Sequence, residues 1–178
     1  ELYEFENCPF CRKVREALSE LDLPAMIYPC PPRGERYRPK AIALGGKKQF
    51  PLLVDPNEGQ QLYESEDIVR YLASTYGDGT VPLLLRFGAL STARSALTSL
   101  PRGRHHLQPS RLPEKPLELW SFEASPYCRI VREALCELEL PYVLHNVAKG
   151  SRHRSDFIAR SGKMMVPYLA EPGDEVAA

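Results

Sequence analysis

Apolar residues recur at Val14, Ala17, Leu18 and Leu21, the i, i+3, i+4, i+7 spacing of a helix that buries one face. Arg12, Lys13, Arg15, Glu16 and Glu20 fall on its other faces. Pro9 stands where such a helix can open, because proline is tolerated at the first helical position. Before it, Leu2, Tyr3 and Phe5 predict a short strand. Pro24 reads as the helix stop, and Ala25 to Tyr28 as a second strand. Arg36 to Leu44 predicts another helix and Pro51 to Val54 a strand. The turn Pro56-Asn57-Glu58-Gly59 then closes a hairpin whose return strand is Gln61 to Tyr63. Ser65 reads as the cap of a last helix carrying Ile68, Val69 and Leu72. The predicted order is β-α-β-α-β-β-α.

The same pattern occurs twice. Residues 1–24 read ELYEFENCPFCRKVREALSELDLP and residues 118–141 read ELWSFEASPYCRIVREALCELELP, identical at 16 of 24 positions without a gap. The helical stripe recurs as Val131, Ala134, Leu135 and Leu138, and Pro141 leads into a strand from Tyr142 to Val147. Gly46 to Pro56 is answered by Gly162 to Pro172. Such self-similarity predicts two tandem copies of one structural unit. The first spans 1–77 and the second 118–178, which reaches Ala178 before any counterpart of the segment from Gln61 to Leu72 and so reads as incomplete. A unit without that strand and helix is expected to leave a sheet edge and apolar surface uncovered. Between them, Val81 to Leu100 places Leu84, Phe87, Leu90, Ala93 and Leu97 near helical spacing. Pro101 to Pro116 reads as a linker, basic through Arg102, Arg104, His105, His106, Arg111 and Lys115 against Glu114 alone. It is either a solvated connector or a contact for an anionic protein partner.

Composition narrows the function. With 23 Lys+Arg against 23 Asp+Glu in 178 residues the chain carries no formal net charge, which argues against nucleic acid as its main partner. No apolar run approaches the ~18 residues of a membrane span. Five cysteines is an odd number, unlike an evenly paired secreted framework, and favours a reducing intracellular compartment.

The chemistry-bearing motif is Cys8-Pro9-Phe10-Cys11, at the predicted start of the first helix. Unpaired backbone N–H groups and the helix dipole favour a thiolate there, and Arg12 and Lys13 add positive charge. Cys8 is expected to be exposed and nucleophilic, with Cys11 one turn on to resolve a mixed disulfide. The alternatives are two ordinary buried thiols and a structural zinc pair; zinc would need two further ligands, and with no second Cys-x-x-Cys no metal is predicted. Cys30, among Pro29, Pro31 and Pro32, reads as a loop thiol open to glutathionylation, and Cys136 as a packing residue.

Cys8-Pro9-Phe10-Cys11, Phe50-Pro51-Leu52-Leu53 and Glu64-Ser65 with Ile68, Tyr71 and Leu72, in that order, resemble the thioredoxin fold. More closely they are similar to the N-terminal domain of glutathione S-transferases and to glutaredoxins. The tandem arrangement resembles a chloroplast group with two such domains, which implies the chloroplast stroma; without that likeness the cytoplasm is the default. A Cys-Pro-Phe-Cys also occurs in the membrane-associated prostaglandin E synthase type 2 family. The resemblance implies an α/β fold of two tandem thioredoxin-like domains, and glutathione as cosubstrate. It implies a cis bond at Phe50-Pro51 that presents backbone to the cysteinyl part of glutathione, and a γ-glutamyl contact at Glu64 and Ser65. The equivalents in the second copy are Ser125, Cys128, Val166 and Pro167, where serine replaces the first cysteine. Ser125 either hydrogen-bonds a glutathione thiolate or marks a degenerate copy kept for packing.

Three functions follow as expectations. The first is a glutaredoxin-like oxidoreductase that uses Cys8 and Cys11 on protein disulfides or glutathionylated proteins. The second is a non-catalytic scaffold or assembly subunit. The third is a glutathione transferase or isomerase, for which the intervening segment is short compared with the helical domain that follows in full-length transferases.

Overall fold

A computed structural model of the chain describes residues 1–81, 85 and 107–173. The first stretch follows the predicted order: β1 (Leu2–Glu4), α1 (Pro9–Glu20), β2 (Ala25–Pro29), α2 (Arg38–Gly45), β3 (Leu52–Asp55), β4 (Gln60–Leu62) and α3 (Ser65–Tyr76). The second contains β5 (Leu117–Ser121), α4 (Pro126–Glu137), β6 (Tyr142–Asn146), α5 (Arg154–Ser161) and β7 (Tyr168–Ala170). The helix expected over Val81 to Leu100 lies outside the described residues, except for Val81 and a buried, helical Leu85. Residues 107–116 have no regular structure and are mostly exposed, but they are fastened. The Gln108 N–H donates to the Glu137 carbonyl at 3.1 Å and the Ser110 hydroxyl to the Leu138 carbonyl at 2.6 Å.

All seven strands join one mixed sheet in the order β4-β3-β1-β2-β6-β5-β7. β1/β2 and β5/β6 are parallel, and every other pair is antiparallel. The two stretches meet at β2 and β6, where Ala25 faces Leu144, Met26 faces Val143 and Ile27 faces Tyr142. In the repeat alignment Ala25 matches Tyr142, Met26 matches Val143 and Ile27 matches Leu144. The ladder therefore maps onto itself when the repeats are exchanged, as across a local two-fold axis.

Below this junction one apolar core is shared by both stretches. Leu2, Val14, Leu18, Ile27, Ile68 and Leu72 pack with Leu119, Leu135, Tyr142 and Leu144. The other face carries two smaller clusters, one around Tyr3 and Leu52 under α2, the other around Trp120 and Phe157 under α5. The asymmetry lies on the α1 and α4 flanks. α3 packs on α1, burying Ala17 against Val69, and the fully buried Lys13 ammonium pairs with Glu66. The aligned positions on α4, Ile130 and Ala134, are exposed, and β7 ends the sheet with Leu169 exposed.

Two local expectations are corrected. Pro24 and Pro141 do not stop the helices, which end at Glu20 and Glu137. Asp22 and Glu139, at φ 55° and 48°, turn the chain out, while Leu23 and Leu140 N–H donate back to the Leu18 and Leu135 carbonyls, each at 2.9 Å. A carboxylate here does what glycine cannot, because each reaches the opposite repeat. Glu139 accepts from the Glu35 and Arg36 N–H groups, and Asp22 from the Arg152 N–H at 3.0 Å. Ser65 is not the cap of α3 either. Glu64 holds that position at φ 64°, its carbonyl accepting from the Ile68 N–H at 3.0 Å, and Ser65 is the first helical residue.

Candidate functional site

Cys8 is the N-cap of α1, with extended backbone at φ −84° and ψ 119°, and Pro9 opens the helix behind it. Its sulfur takes the place a serine or aspartate oxygen takes in an ordinary cap, accepting from the Cys11 N–H at 3.3 Å. The thiol is pulled down from the usual range to about 7. The Cys11 side chain does most of this by donating to it; the Cys11 and Phe10 N–H groups and the Arg15 charge add to it, against the cost of burial. Burial and the neighbouring Cys8 sulfur push Cys11 the other way, well above its ordinary value. One thiol is therefore poised to ionise at neutral pH while its neighbour holds its proton, the division that attack and resolution require.

The sulfur is not exposed as expected. Cys8 is 4% accessible, packed with Tyr3, Cys11, Cys30, Ala41, Phe50 and Leu52. Cys30 is buried in the same cluster, and burial raises its thiol strongly, which removes it as an accessible glutathionylation target. Arg12 and Lys13 are also spoken for, by Glu16 and by Glu66.

The cation that acts on Cys8 is Arg15, which helical spacing alone puts on an outer face. It is buried at the junction of the repeats, bonded to Glu4, to Glu6 at 3.1 Å and to Glu123 at 3.0 Å. Arg132, its counterpart in the alignment, meets Glu6 at 3.1 Å and Glu123 at 3.2 Å. Arg12 also reaches Glu123, at 3.8 Å, so three guanidinium groups meet these three carboxylates. Glu4, whose counterpart is Ser121, shares Arg15 with the other two; burial pushes the Glu4 carboxyl up to about 7, with Glu6, Glu123 and Cys8 adding to the push against the pull of Arg15. The sequence repeats the arginine at Arg15, but it also repeats Arg12 as Arg129, so the repeat alone does not single it out.

The remaining expected residues fall in both repeats. The Phe50–Pro51 bond is cis, Phe50 packs in the Cys8 cluster, and the Arg38 guanidinium lies 4.4 Å from its ring centre. The amide of Gln49, just before it, donates to the Glu64 carboxylate, which ties the Pro51 loop to the start of α3. Ser65 is buried there, and the Lys13–Glu66 pair holds that end of α3 against α1. In the second repeat Ser125 caps α4, accepting from the Cys128 N–H at 3.3 Å, and the Val166–Pro167 bond is cis. Cys128 is buried, and no counterpart of Glu64-Ser65 lies among the described residues. No cluster of described His, Cys, Asp and Glu residues has a metal-holding arrangement, and no described helix is long and apolar enough to cross a membrane.

No curated protein matches the chain. The profile of the glutathione S-transferase N-terminal domain matches residues 2–84 and again 119–177, most of the sequence. With its thioredoxin-like arrangement of strands and helices, the chain belongs to the glutathione S-transferase N-terminal domain family, whose domains bind glutathione.

Proposed function

We propose that the chain is a glutathione-dependent thiol–disulfide oxidoreductase worked by its first repeat. The observation that carries this reading is the Cys8 sulfur at the start of α1, lowered to about 7, with the protonated Cys11 thiol behind it. The Cys8 thiolate attacks one sulfur of a protein disulfide, or the glutathione sulfur of a glutathionylated protein, and the other sulfur leaves as a thiolate that takes a proton. With a glutathionylated protein, the thiolate of a second glutathione then attacks the Cys8–glutathione bond, releasing oxidised glutathione and restoring Cys8. With a protein disulfide, the Cys11 thiol gives up its proton and attacks the Cys8 sulfur, the substrate's second sulfur leaves as a thiolate that takes a proton, and two glutathiones reduce the resulting Cys8–Cys11 bond. Either way the substrate disulfide gains two electrons and one oxidised glutathione is released, formed from two free glutathiones for a protein disulfide and from one free glutathione plus the substrate's own for a glutathionylated protein.

Glutathione is assigned to Phe50-Pro51 through backbone pairing, and to Glu64-Ser65, where the N-terminus of α3 suits a carboxylate. Residues 1–77 and 118–178 are assigned as tandem thioredoxin-like units joined by 78–117, with the second a packing partner, since the Ser125 hydroxyl is a far weaker nucleophile than a thiolate. The linker is assigned to an anionic protein partner, and the chain to a reducing compartment, the chloroplast stroma by the resemblance of its tandem repeats.

Turnover of a glutathionylated peptide by glutathione tests the reading. Cys8→Ser is expected to abolish it, and Cys11→Ser to spare it while abolishing reduction of protein disulfides. Full activity in Cys8→Ser would overturn the assignment.

A further inference from the structure

The two repeats differ most on the face away from the shared core, beneath α2 and α5. In the first repeat Tyr3 and Tyr28 stack at 4.7 Å with 17° between planes. Two side chains from the start of α2 complete the packing on Tyr28: the Tyr37 ring at 5.2 Å, tilted by 49°, and the Lys40 ammonium 5.5 Å from the ring centre. An aromatic ring and a cation thus close this space. The alignment pairs Tyr3 with Trp120, Tyr28 with His145, Tyr37 with His153 and Lys40 with Asp156. The stacked pair survives, Trp120 and His145 lying at 4.5 Å and 14°. Its cover is lost. His153 faces Asp22 of the first repeat, Nε2 to Oδ2 at 3.7 Å, and Asp156 is an exposed carboxylate in the first turn of α5. Among the described residues Trp120 is the only ring stacked on His145, and a cavity of about 600 Å³ opens between α5 and the sheet. Trp120, His145, His153, Asp156 and Phe157 line it, and Pro24 of the first repeat closes one side.

The charges around the cavity leave one carboxylate for a ligand. Arg160 also lines it, but its guanidinium is engaged, 4.7 Å from the Trp120 ring centre and 3.3 Å from Glu118. Asp22 is met by Arg152 at 3.6 Å. Burial lowers the His145 imidazole, which is neutral at pH 7, and its Nε2 lies 3.9 Å from Glu118. Asp156 differs from the other two acids: among the described residues it is paired with no cation and accepts only from the neighbouring Ser155 hydroxyl, at 3.4 Å. The Arg160 guanidinium on Trp120 shows that these rings accept a cation on their faces.

We propose that this cavity binds an arylalkylamine, a protonated amine on a short chain from an aromatic ring. The ring lies on His145, as Tyr37 lies on Tyr28, and the ammonium meets Asp156, where the first repeat has Lys40. The first repeat supplies both groups from its own chain, and the second takes them from the ligand. The site is separate from the thiol pair and does not depend on the oxidoreductase reading.

Trp120 is the single tryptophan of the sequence, so its emission reports on the cavity wall directly. Tyramine unites the two missing groups in one molecule, and 4-(2-hydroxyethyl)phenol is its neutral isostere. The full chain is titrated with each, and stoichiometry is taken from calorimetry. A saturable change in emission at one tyramine per chain is expected, several-fold tighter than the alcohol and unchanged in Cys8→Ser. Asp156→Asn should bring tyramine to the affinity of the alcohol and leave the alcohol unchanged, the several-fold loss of an ion pair at an exposed carboxylate. The double variant His153→Tyr/Asp156→Lys restores the two groups of the first repeat and should weaken both compounds about tenfold, the worth of one aromatic contact. Absence of a saturable response in the wild type, equal affinity for the amine and the alcohol, or wild-type tyramine affinity in either variant would overturn the proposal. So would loss of binding in Cys8→Ser, which would place the amine at the thiol pair. Because Asp156 is exposed, Asp156→Asn keeps the test decisive even if the double variant does not fold.

Discussion

Glu4→Gln should change how the stability of this protein depends on pH. In the fold the Glu4 carboxyl sits at about 7 rather than 4.5, because it is buried, with Glu6, Glu123 and Cys8 adding to the push against the pull of Arg15. A carboxyl raised by folding binds its proton more tightly in the native than in the unfolded state. Stability is therefore lost as pH rises from the unfolded value near 4.5 to the folded value near 7, and stays lost above it. A shift of this size corresponds to about 3 kcal/mol at 1.36 kcal/mol per unit. Glutamine resembles the protonated acid in shape and still offers Arg15 an acceptor, so the variant omits the titration.

The measurement is urea unfolding of Glu4→Gln against its parent from pH 4 to pH 8.5. Both should carry Cys8→Ser, since a thiol lowered to about 7 titrates in the same window with opposite sign. At pH 4 the two midpoints should differ little from their intrinsic offset. By pH 8.5 the difference should have moved in favour of glutamine by about 3 kcal/mol, or ~1.5 M urea at a slope of ~2 kcal/mol/M. Midpoints that run parallel across this range would refute the reasoning, because they would mean that Glu4 has the same proton affinity folded and unfolded. With Cys8 intact, the same substitution should lower the Cys8 thiol further, as a negative charge facing the thiolate disappears.

Alkylation of Cys8 should rise as pH passes through about 7, and Cys11→Ala should move that midpoint upward by removing the strongest donor to the thiolate; ultraviolet thiolate absorbance checks both. Arg132→Leu, which strips Glu6 and Glu123 of a buried partner, should cost about 3–5 kcal/mol in chemical unfolding, whereas breaking the exposed Arg70–Asp67 pair should cost less than about 1 kcal/mol. Gly34→Ala should destabilise by about 1–3 kcal/mol, since a Cβ there would lie 2.6 Å from the Glu139 carboxylate and 3.0 Å from the Pro31 carbonyl. Glu139→Ala should cost about 1–2 kcal/mol by leaving the Glu35 and Arg36 N–H groups without their acceptor.

The elements of the first stretch are legible because each rests on a local signal. An apolar stripe at helical spacing, a proline at the first turn and a Pro-Asn-Glu-Gly hairpin each act within a few residues of chain. What misleads is local information overridden by a distant partner. Arg15 falls on an outer face by helical spacing, yet it is buried, because Glu123 sits opposite it across the junction. Lys13 behaves the same way with Glu66 of α3. Cys8 reads as exposed because helix starts usually are, but Phe50 and Leu52 arrive from a distant part of the chain to cover it. Pro24 reads as the helix stop because proline is the louder breaker; Asp22 takes a left-handed turn that glycine normally fills, since its carboxylate bonds the Arg152 N–H of the other repeat.

At the junction these charges share one arrangement. Arg15, Glu6 and Asp22 each work on the opposite repeat, and the alignment pairs each with a partner doing the same in reverse: Arg15 with Arg132, Glu6 with Glu123, Asp22 with Glu139. Where the exchange fails, the difference falls on the candidate chemistry. Glu4 has no acidic counterpart and sits by the thiols; Cys8 faces Ser125 in the alignment; Tyr28 and Tyr37 give way to His145 and His153 around an open cavity. The symmetric positions bind the halves together, and the asymmetric ones give each half its own chemistry.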